Sequence, residues 1–429
     1  MNQAVLDLLS LETKKYKVEK VENQIINNKT IKIITVKCIS KKHRCPKCNK
    51  YTSSIHDTLK PSRLKFLDIA GYESKIFIIK RRFICHKCNI KFTEPTVFNN
   101  KKCNISNKVK QKIRKDLLQY NLSLKYIAES NHVTDDLVRK ELLSAMKDYP
   151  SHLIKLPEVI SMDEFKADTS YGKYAFIINN PIKKKALDVL PCRRKEYLIN
   201  YFTRVTNRKS VKYVISDMYE PYLLTTQIMF SKAKFVVDRF HYIKAVMKGL
   251  DDIRKRLQNE YGPKSKKYKL LKNKKNVSLL RNYYNDINWY TYTKRYKNGH
   301  MVEMLRIDLL DQILNISNDL KRGYQLKELF LDIVNHSTYE TAKVDLLAWI
   351  DLCKESKIEE FIEASKTIEN WLPYIVNSFI DERFTNGFTE GLNNKIKVIK
   401  RVGFGYKNFN FFRLRLMYIL NGKMRGGKK

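Results

Sequence analysis

No run of roughly 18 uninterrupted apolar residues occurs in the 429-residue chain, so no segment reads as a transmembrane helix. The opening MNQAVLDLLSLETKK lacks a basic leader followed by an apolar core and a small-residue cleavage site, and the chain is expected to stay in the cytoplasm. Cysteine is sparse as well. Eight in a chain of this length are too few for a disulfide framework, and four of them are paired at metal-ligand spacing. Acid is short relative to base: 44 Asp and Glu stand against 84 Lys and Arg, a formal net charge of +40. A field of that sign and size favours polyanions, of which nucleic acid is the commonest. A Lys-, Asn-, Ile- and Tyr-inflated composition of AT-rich coding accounts for part of the lysine, but not for its clustering. Hydrophobic residues make up 43%, enough to bury real cores and to exclude a disordered chain. The length suggests about two to four domains.

The most informative stretch is Glu158 to His241. Val159 to Phe165 (VISMDEF) is an apolar strand pattern ending in acid, and Val211 to Asp217 (VKYVISD) and Phe235 to Asp238 (FVVD) repeat it. A buried strand that ends in an unpaired carboxylate is strongly destabilised unless the acid has a partner. The usual partner is a divalent metal with oxygen ligands. Gly172–Ile178 turns at Asn179-Asn180-Pro181 into Ala186–Leu190, and two helix–strand pairs follow. Three strands in meander, then helix, strand, helix, strand, is the order of an RNase H-like α/β core. There the first and fourth strands are neighbours, which predicts Asp163 beside Asp217. Glu164 and Asp168 compete for the first-acid role. Asp163 is favoured because it closes the apolar run while Glu164 should point to the other face.

Upstream, Cys45-Pro-Lys-Cys48 and Cys85-His-Lys-Cys88 form two C-x-x-C knuckles, each preceded by a strand pattern. This is the spacing of a four-thiolate zinc ribbon, since zinc takes a tetrahedron of soft ligands. A redox dithiol would need one knuckle at a helix N-terminus. Cys38, Cys103, Cys192 and Cys353 read as buried small hydrophobes, and His43 and His86 as surface residues. Lys108–Tyr120 reads as an amphipathic helix, and Ser123 to Leu142 as a helix-turn-helix. In it Ile127, Ala128, Val138 and Leu142 face the core, and Asn131 takes the left-handed turn conformation. Thr134 caps the second helix, which leaves Arg139 and Lys140 on its groove-facing side. The alternative is an ordinary helical hairpin in a three-helix bundle.

Tyr242 to Asp381 reads as nearly all helical. Lys264 to Lys275 holds seven lysines and no acid, with Tyr283, Tyr284, Trp289, Tyr290 and Tyr292 close behind. That mixture suits phosphates and unstacked bases, or equally a solvated face over an aromatic core. A helix beginning near Glu390 places Glu390, Asn394 and Lys397 on one face and returns a third carboxylate to the core. From Lys395 to the C-terminus there are eleven basic residues and no acid, a polyanion-binding tail.

The order of knuckles, helical segment, DEF strand, ISDM strand, D-R-F-H (Asp238 to His241) and E-G-L-N-N-K (Glu390 to Lys395) resembles bacterial insertion-sequence transposases of the DDE type, closest to the ISL-three family. The likeness covers nearly the whole chain. It implies a multidomain α+β protein: a zinc ribbon (1–103), a helix-turn-helix (104–150), an RNase H-like catalytic core (158–245 and 381–429) and an all-helical insertion (246–380). It also implies Asp163, Asp217 and Glu390 as a triad for Mg²⁺ or Mn²⁺, with Asp238 and His241 as a helper pair rather than metal ligands. Zn²⁺ would be structural, on Cys45, Cys48, Cys85 and Cys88. Asn394, Lys397 and Arg401 would orient flanking DNA, and a homodimer on double-stranded DNA in the cytoplasm, at the nucleoid, would hold both element ends. Two other readings compete: a zinc-ribbon and helix-turn-helix regulator with a dead catalytic domain, and a structure-selective nuclease without strand transfer.

Overall fold

The structure, a computed structural model, describes residues 2–9, 11–99, 103–297 and 300–422. The last part of the expected basic tail, from Lys423 onward, lies outside the described residues. The chain divides into two compact units, one of Met1–Tyr149 with Lys397–Tyr406 and Asn410–Lys429, the other of Pro150–Ile396 with Lys407–Phe409.

The first unit opens with α1 (Asn2–Leu8) and a long antiparallel ribbon, β1 (Tyr16–Ile26) and β2 (Lys29–Cys38). Asn27 and Asn28 close it with φ of 50° and 59°, the left-handed pair that a two-residue hairpin needs and asparagine tolerates. Then come β3 (His43–Arg44), β4 (Tyr51–Thr52), β5 (Ile55–Thr58), β6 (Ser62–Lys65), β7 (Ser74–Ile79), β8 (Arg81–Cys85) and β9 (Ile90–Thr93). They build a four-stranded sheet in the order β1-β2-β7-β6, a three-stranded sheet β5-β8-β9 and the pair β3-β4. Alternate residues Ile34 and Val36 on β2 and Ile76 and Ile78 on β7 bury one sheet face with Leu6, Phe66 and Phe98.

Three helices follow, α2 (Asn107–Asp116), α3 (Leu124–Ser130) and α4 (Asp135–Ala145), so α2 stops short of Tyr120. Ser106, Ser123 and Thr134 each cap one, accepting from the amides of Val109, Tyr126 and Leu137. Ile127, Ala128, Val138 and Leu142 are buried among them. The left-handed residue of the turn is His132 (φ 49°), not Asn131, whose φ is −108°. Asn131 is held by its buried carboxamide, which donates to the Ile127 carbonyl (2.8 Å) and to Asp116 (2.9 Å) and accepts from Lys112 (3.1 Å). The reversal passes to the next residue.

The second unit is built on a five-stranded sheet: β10 (Val159–Thr169), β11 (Gly172–Asn180), β12 (Lys185–Leu190), then α5 (Lys195–Thr203), β13 (Tyr213–Ser216), α6 (Glu220–Met229) and β14 (Lys234–Val237). Its order is β12-β11-β10-β13-β14, the first three antiparallel and β13 and β14 parallel to β10. The pleat sorts the residues. Ile160, Met162, Val214 and Val237 enter the main core with Phe202, Tyr222 and Phe230, while Ile215 and Val236 on the other face pack on Phe384.

The chain continues through α7 (Arg239–Tyr261), α8 (Lys266–Lys272), α9 (Lys274–Arg281), β15 (Tyr292–Lys297), β16 (His300–Leu305), α10 (Arg306–Leu314), α11 (Asn318–His336), α12 (Ala342–Glu355) and α13 (Glu359–Val376). The all-helical expectation is corrected here: β15 and β16 form an antiparallel hairpin from Tyr292↔Leu305 to Lys297↔His300. Its sequence signal, Asn298-Gly299 between runs carrying β-branched and aromatic residues, was masked by the surrounding lysines. Trp349 is fully buried, its ring 4.7 Å from that of Phe330 and tilted by 54°. Trp289 is buried against Tyr284, whereas Tyr290 and Tyr292 are exposed, so the aromatic cluster is part core and part surface. The described chain ends with α14 (Gly387–Val402) and α15 (Phe409–Leu420).

Candidate active site

The sheet topology carries the acids to one place. Because β10 and β13 are parallel with Ser161 opposite Ile215, the end of β13 lies beside the stretch of β10 that holds Asp163, and β14 continues the row with Ile215 opposite Val236. β10 itself does not stop at the acid, as the apolar run suggested, but continues to Thr169. Asp163, Asp217 and Asp238 follow Ser161, Ile215 and Val236 by two residues each, so strand alternation directs all three to the face away from the main core. Carboxylate oxygens of Asp217 and Asp238 and a ring nitrogen of His241 lie within 4.8 Å of one another, close enough to share one cation. His241 Nε2 stands 2.7 Å from Asp217 Oδ1 and 4.0 Å from Asp238 Oδ2.

Each acid is held differently. Asp163 Oδ1 accepts from the amide of Glu164 (2.7 Å), and its Oδ2 accepts from Asn393 Nδ2 on α14 (2.9 Å). Burial, then the neighbouring Asp217 charge, pushes its pKa up to about 7. Asp238 is 2% exposed, and its Oδ1 accepts from the amide of Asn386 (2.8 Å). Burial raises its pKa too, against the pull of that amide and of His241. For His241, burial opposes protonation, but the hydrogen-bonded Asp217 and the charges of Asp238 and Asp163 outweigh it and lift the pKa. Burial and neighbouring charge hold Asp163 and Asp238 towards the neutral form, and a divalent cation beside them would ionise both. Hard carboxylate oxygens of this kind fit Mg²⁺ or Mn²⁺, and Asp238 and His241, expected only as helpers, lie close enough to Asp217 to serve as ligands too.

Glu164, one residue on, faces the opposite side. It pairs with Arg193 and accepts from the Tyr222 hydroxyl, and Arg193 lies 4.4 Å over the Tyr174 ring. Glu164 is a structural anion. Asp168 is an exposed left-handed residue (φ 52°) near the tip of the β10–β11 ribbon. Glu390 is exposed on the first turn of α14 and is not among the close group of Asp217, Asp238 and His241. It does lie one turn before Asn393, on the same side of the helix. Asn394, Lys397 and Arg401 are exposed on α14.

Sequence reasoning missed the polar stripe Asn386, Thr389 and Asn393. Thr389 is fully buried; its Oγ1 lies 3.2 Å from Ser161 Oγ and accepts from Asn179 Nδ2 at 3.0 Å. The signal was the spacing of three and four residues in phase with the apolar Leu392, Ile396 and Ile399.

The cysteine knuckles are likewise gathered. Cys45, Cys48, Cys85 and Cys88 bring their sulfurs within 4.8 Å of one another, Cys48 and Cys85 at 3.7 Å. The Lys50 amide and then the neighbouring thiols lower the Cys48 pKa to about 7, while hydrogen bonding to Cys48 pushes Cys88 up to about 12. Four sulfurs gathered this closely fit a soft dication such as Zn²⁺. His86 is exposed as expected. His43 is not on the surface: its ring is half-buried, 4.9 Å from Phe83, with Nε2 3.1 Å from Glu94, which also pairs with Arg81. Cys38, Cys192 and Cys353 are buried, but Cys103 is half-buried with its thiol donating to the Ile105 carbonyl. On α4, Arg139 and Lys140 are both exposed; Arg139 sits 5.0 Å over Phe411, and Lys140 pairs with Asp136 at 2.7 Å.

Comparison with known proteins fits this arrangement. A transposase family model of the DDE, ISL3 type matches residues 160–416, and a model for the zinc-finger of transposases IS204/IS1001/IS1096/IS1165 matches residues 41–88. The transposase for insertion sequence element IS1001 of Bordetella parapertussis is 22% identical over 415 residues, 96% of each chain. An ATP-dependent protease of Lactococcus lactis subsp. lactis is 31% identical over 178 residues, only 42% of this chain and 50% of that protein, too short a stretch to carry its activity across. The sheet brings Asp163, Asp217 and Asp238 onto one face within the span that the first model covers, and the four gathered sulfurs belong to the span of the second. The chain belongs to the ISL3 family of DDE transposases.

Proposed function

We propose that this transposase binds the ends of its insertion element and catalyses metal-dependent strand cleavage and strand transfer, with Asp163, Asp217 and Glu390 as the acid triad. The observation that carries the reading is Asp217, just past the end of β13, on the same sheet face as Asp163 of the parallel neighbour β10, with Asp238 and His241 against Asp217. The sheet order, with the first strand between the second and the fourth, is that of an RNase H-like core. Glu390 belongs to the triad through α14, whose next turn reaches Asp163 by way of Asn393. Bound Mg²⁺ or Mn²⁺ would supply an activated water or 3′-hydroxyl and stabilise the charge of an in-line displacement at phosphate. The chain's own part is to aim Asp163 with two hydrogen bonds, to keep Glu164 occupied elsewhere, and to hold His241 beside Asp217 as a proton-bearing neighbour. Asp238, pinned by the Asn386 amide, orients His241 from behind.

DNA is the partner of a transposase, and the reading surface we assign to it lies on the first unit. The α3–α4 pair acts as a helix-turn-helix with Arg139 and Lys140 outward. A groove of 540 Å³ beside its turn gathers Lys140 with Arg63, Lys65 and Lys75. Contacts with phosphates there fix register and orientation. Asn394, Lys397 and Arg401 orient DNA flanking the cut, a Zn²⁺ ion on the four cysteines keeps the ribbon folded, and two protomers pair the element ends. No helix among the described residues is long and apolar enough to cross a membrane.

The test is to incubate the protein with DNA carrying the element's own ends in Mg²⁺, Mn²⁺ or EDTA, beside Asp217→Asn. Metal-dependent nicking at the boundary, lost in the variant, is the expected result. Tight binding without nicking in either metal would leave the DNA-binding regulator in its place. Light scattering on paired-end DNA that finds only monomer would remove the dimer.

A further inference from the structure

We infer that Asn393 is the positioning residue of the active site: its side-chain amide sets the rotation of the Asp163 carboxylate. The inference rests on the catalytic reading above and adds to it a residue that touches an acid of the triad without acting on DNA. Asp163 has two oxygens and two fixed donors. The Glu164 amide, on the same strand, takes Oδ1 at 2.7 Å, and Asn393 Nδ2 takes Oδ2 at 2.9 Å. With only the first of these, the carboxylate could still rotate about its Cβ–Cγ bond; with both it cannot. Asn393 is itself anchored, since the same Nδ2 reaches the Glu164 carbonyl at 3.5 Å. Its Oδ1 is buried and has no hydrogen-bond partner among the described residues. The hydrogen bonds of this side chain are thus made by its donor alone.

The rest of the helix serves that contact. Thr389, one turn earlier, locks α14 to Ser161 and Asn179 on β10 and β11, two residues before Asp163 in the strand. At the start of the helix the Asn386 amide grips Asp238 beyond the end of β14. One face of α14 thus fixes acids at both sides of the β10-β13-β14 row. The carboxamide of Asn386 is buried and unpartnered among the described residues, a second orphan at the same seam. Asn393 and Asn394 are adjacent in sequence but point apart: the second is on the exposed side of the helix.

Removing a partner that orients a metal-ligating carboxylate typically weakens metal affinity about 10–100-fold. The experiment measures Mn²⁺ binding to full-length, metal-depleted protein by electron paramagnetic resonance of free Mn²⁺, with Zn²⁺ left in the ribbon. Thermal unfolding and the Mg²⁺ dependence of nicking are recorded beside it. Asn393→Leu should bind Mn²⁺ at least tenfold more weakly with its thermal transition near that of the parent, and Asn393→Gln, which keeps a donor, should recover part of the loss. Asn393→Ser replaces leucine if leucine unfolds the domain. Unchanged Mn²⁺ affinity in a folded Leu or Ser variant overturns the inference. A parent that neither binds Mn²⁺ at this site nor nicks DNA would instead sink the catalytic reading, and the two failures are told apart by the parent's own result.

Discussion

Replacing Asp163 with asparagine should abolish nicking and, at the same time, stabilise the metal-free protein above neutral pH. The folded-state pKa of Asp163 is raised from 3.8 to about 7 by burial and then by the Asp217 charge. A raised carboxylate contributes stability that is fully present below the unfolded value and is lost as pH rises through the folded one. Three units at about 1.4 kcal/mol each set an upper bound of ~4 kcal/mol on the stability lost by pH 8. Asp163 is half-buried, so solvent screening reduces this to about 2–3 kcal/mol. Asparagine removes the charge and retains the shape. Its NH₂ group would meet a donor on one side, but Asn393 carries an unpartnered Oδ1 and can turn its amide to accept. The exchange costs on the order of 1 kcal/mol or less.

The net gain for Asp163→Asn is then about 1–2 kcal/mol at pH 8 and close to zero at pH 4. In a unit of this size it corresponds to a rise of about 2–8 °C in the transition of the second unit. Differential scanning calorimetry of both proteins in EDTA-washed buffer at pH 4.5, 6, 7 and 8 measures it. The gap should open with pH and then close when Mg²⁺ is added, because the ion stabilises only the protein that binds it. A variant no more stable than the parent at pH 8, or a gap that does not change with pH, would refute the assignment of Asp163 as a strained acid.

The neighbouring acid should behave in the opposite way. Glu164→Gln breaks the charge pairing with Arg193 and weakens the Tyr222 hydrogen bond, and is expected to lose about 1–3 kcal/mol of stability while leaving Mn²⁺ affinity within twofold of the parent; loss of the ion instead would mean the two acids are exchanged. Cys85→Ser, or exhaustive chelation, should release about one Zn²⁺ per chain and unfold the segment around residues 41–88, while the second unit keeps its own thermal transition. Mass spectrometry of the metal content together with calorimetry reads both, and a ribbon that survives chelation intact would remove the zinc.

How much of this was legible in the sequence depended on which physical rule governed each element. Parallel strands buried on both faces are continuous apolar runs, and so β13 and β14 were readable to within two residues. Strand alternation then separated Asp163 from Glu164 without any structure. The hairpin Tyr292–Leu305 was missed because Lys294, Arg295 and Lys297 break its apolar alternation, leaving only Asn298-Gly299 as a cue. Asn393 was missed for a different reason. Which of two adjacent asparagines faces the core depends on the phase of the helix, and that phase is fixed by Thr389 reaching Ser161 across more than two hundred residues of chain. Composition carries no such information.

The same long-range closure explains why the site tolerates its charges. Asp163, Asp217 and Asp238 share one face of the sheet, and His241 is the cation drawn against them, 2.7 Å from Asp217. Its raised pKa means that the protonated ring adds stability at low pH and withdraws it as pH rises through the folded value. Asp163 changes in the same direction: as pH rises through about 7 its proton leaves, and repulsion with Asp217 grows. Above neutrality both changes remove positive charge from one cleft, and α14 must hold the acids together through Asn386 and Asn393 against that repulsion. The pull of the cleft on a divalent cation therefore strengthens over the same pH range in which the ion-free sheet weakens. Stability withheld from the empty site becomes affinity for the ion.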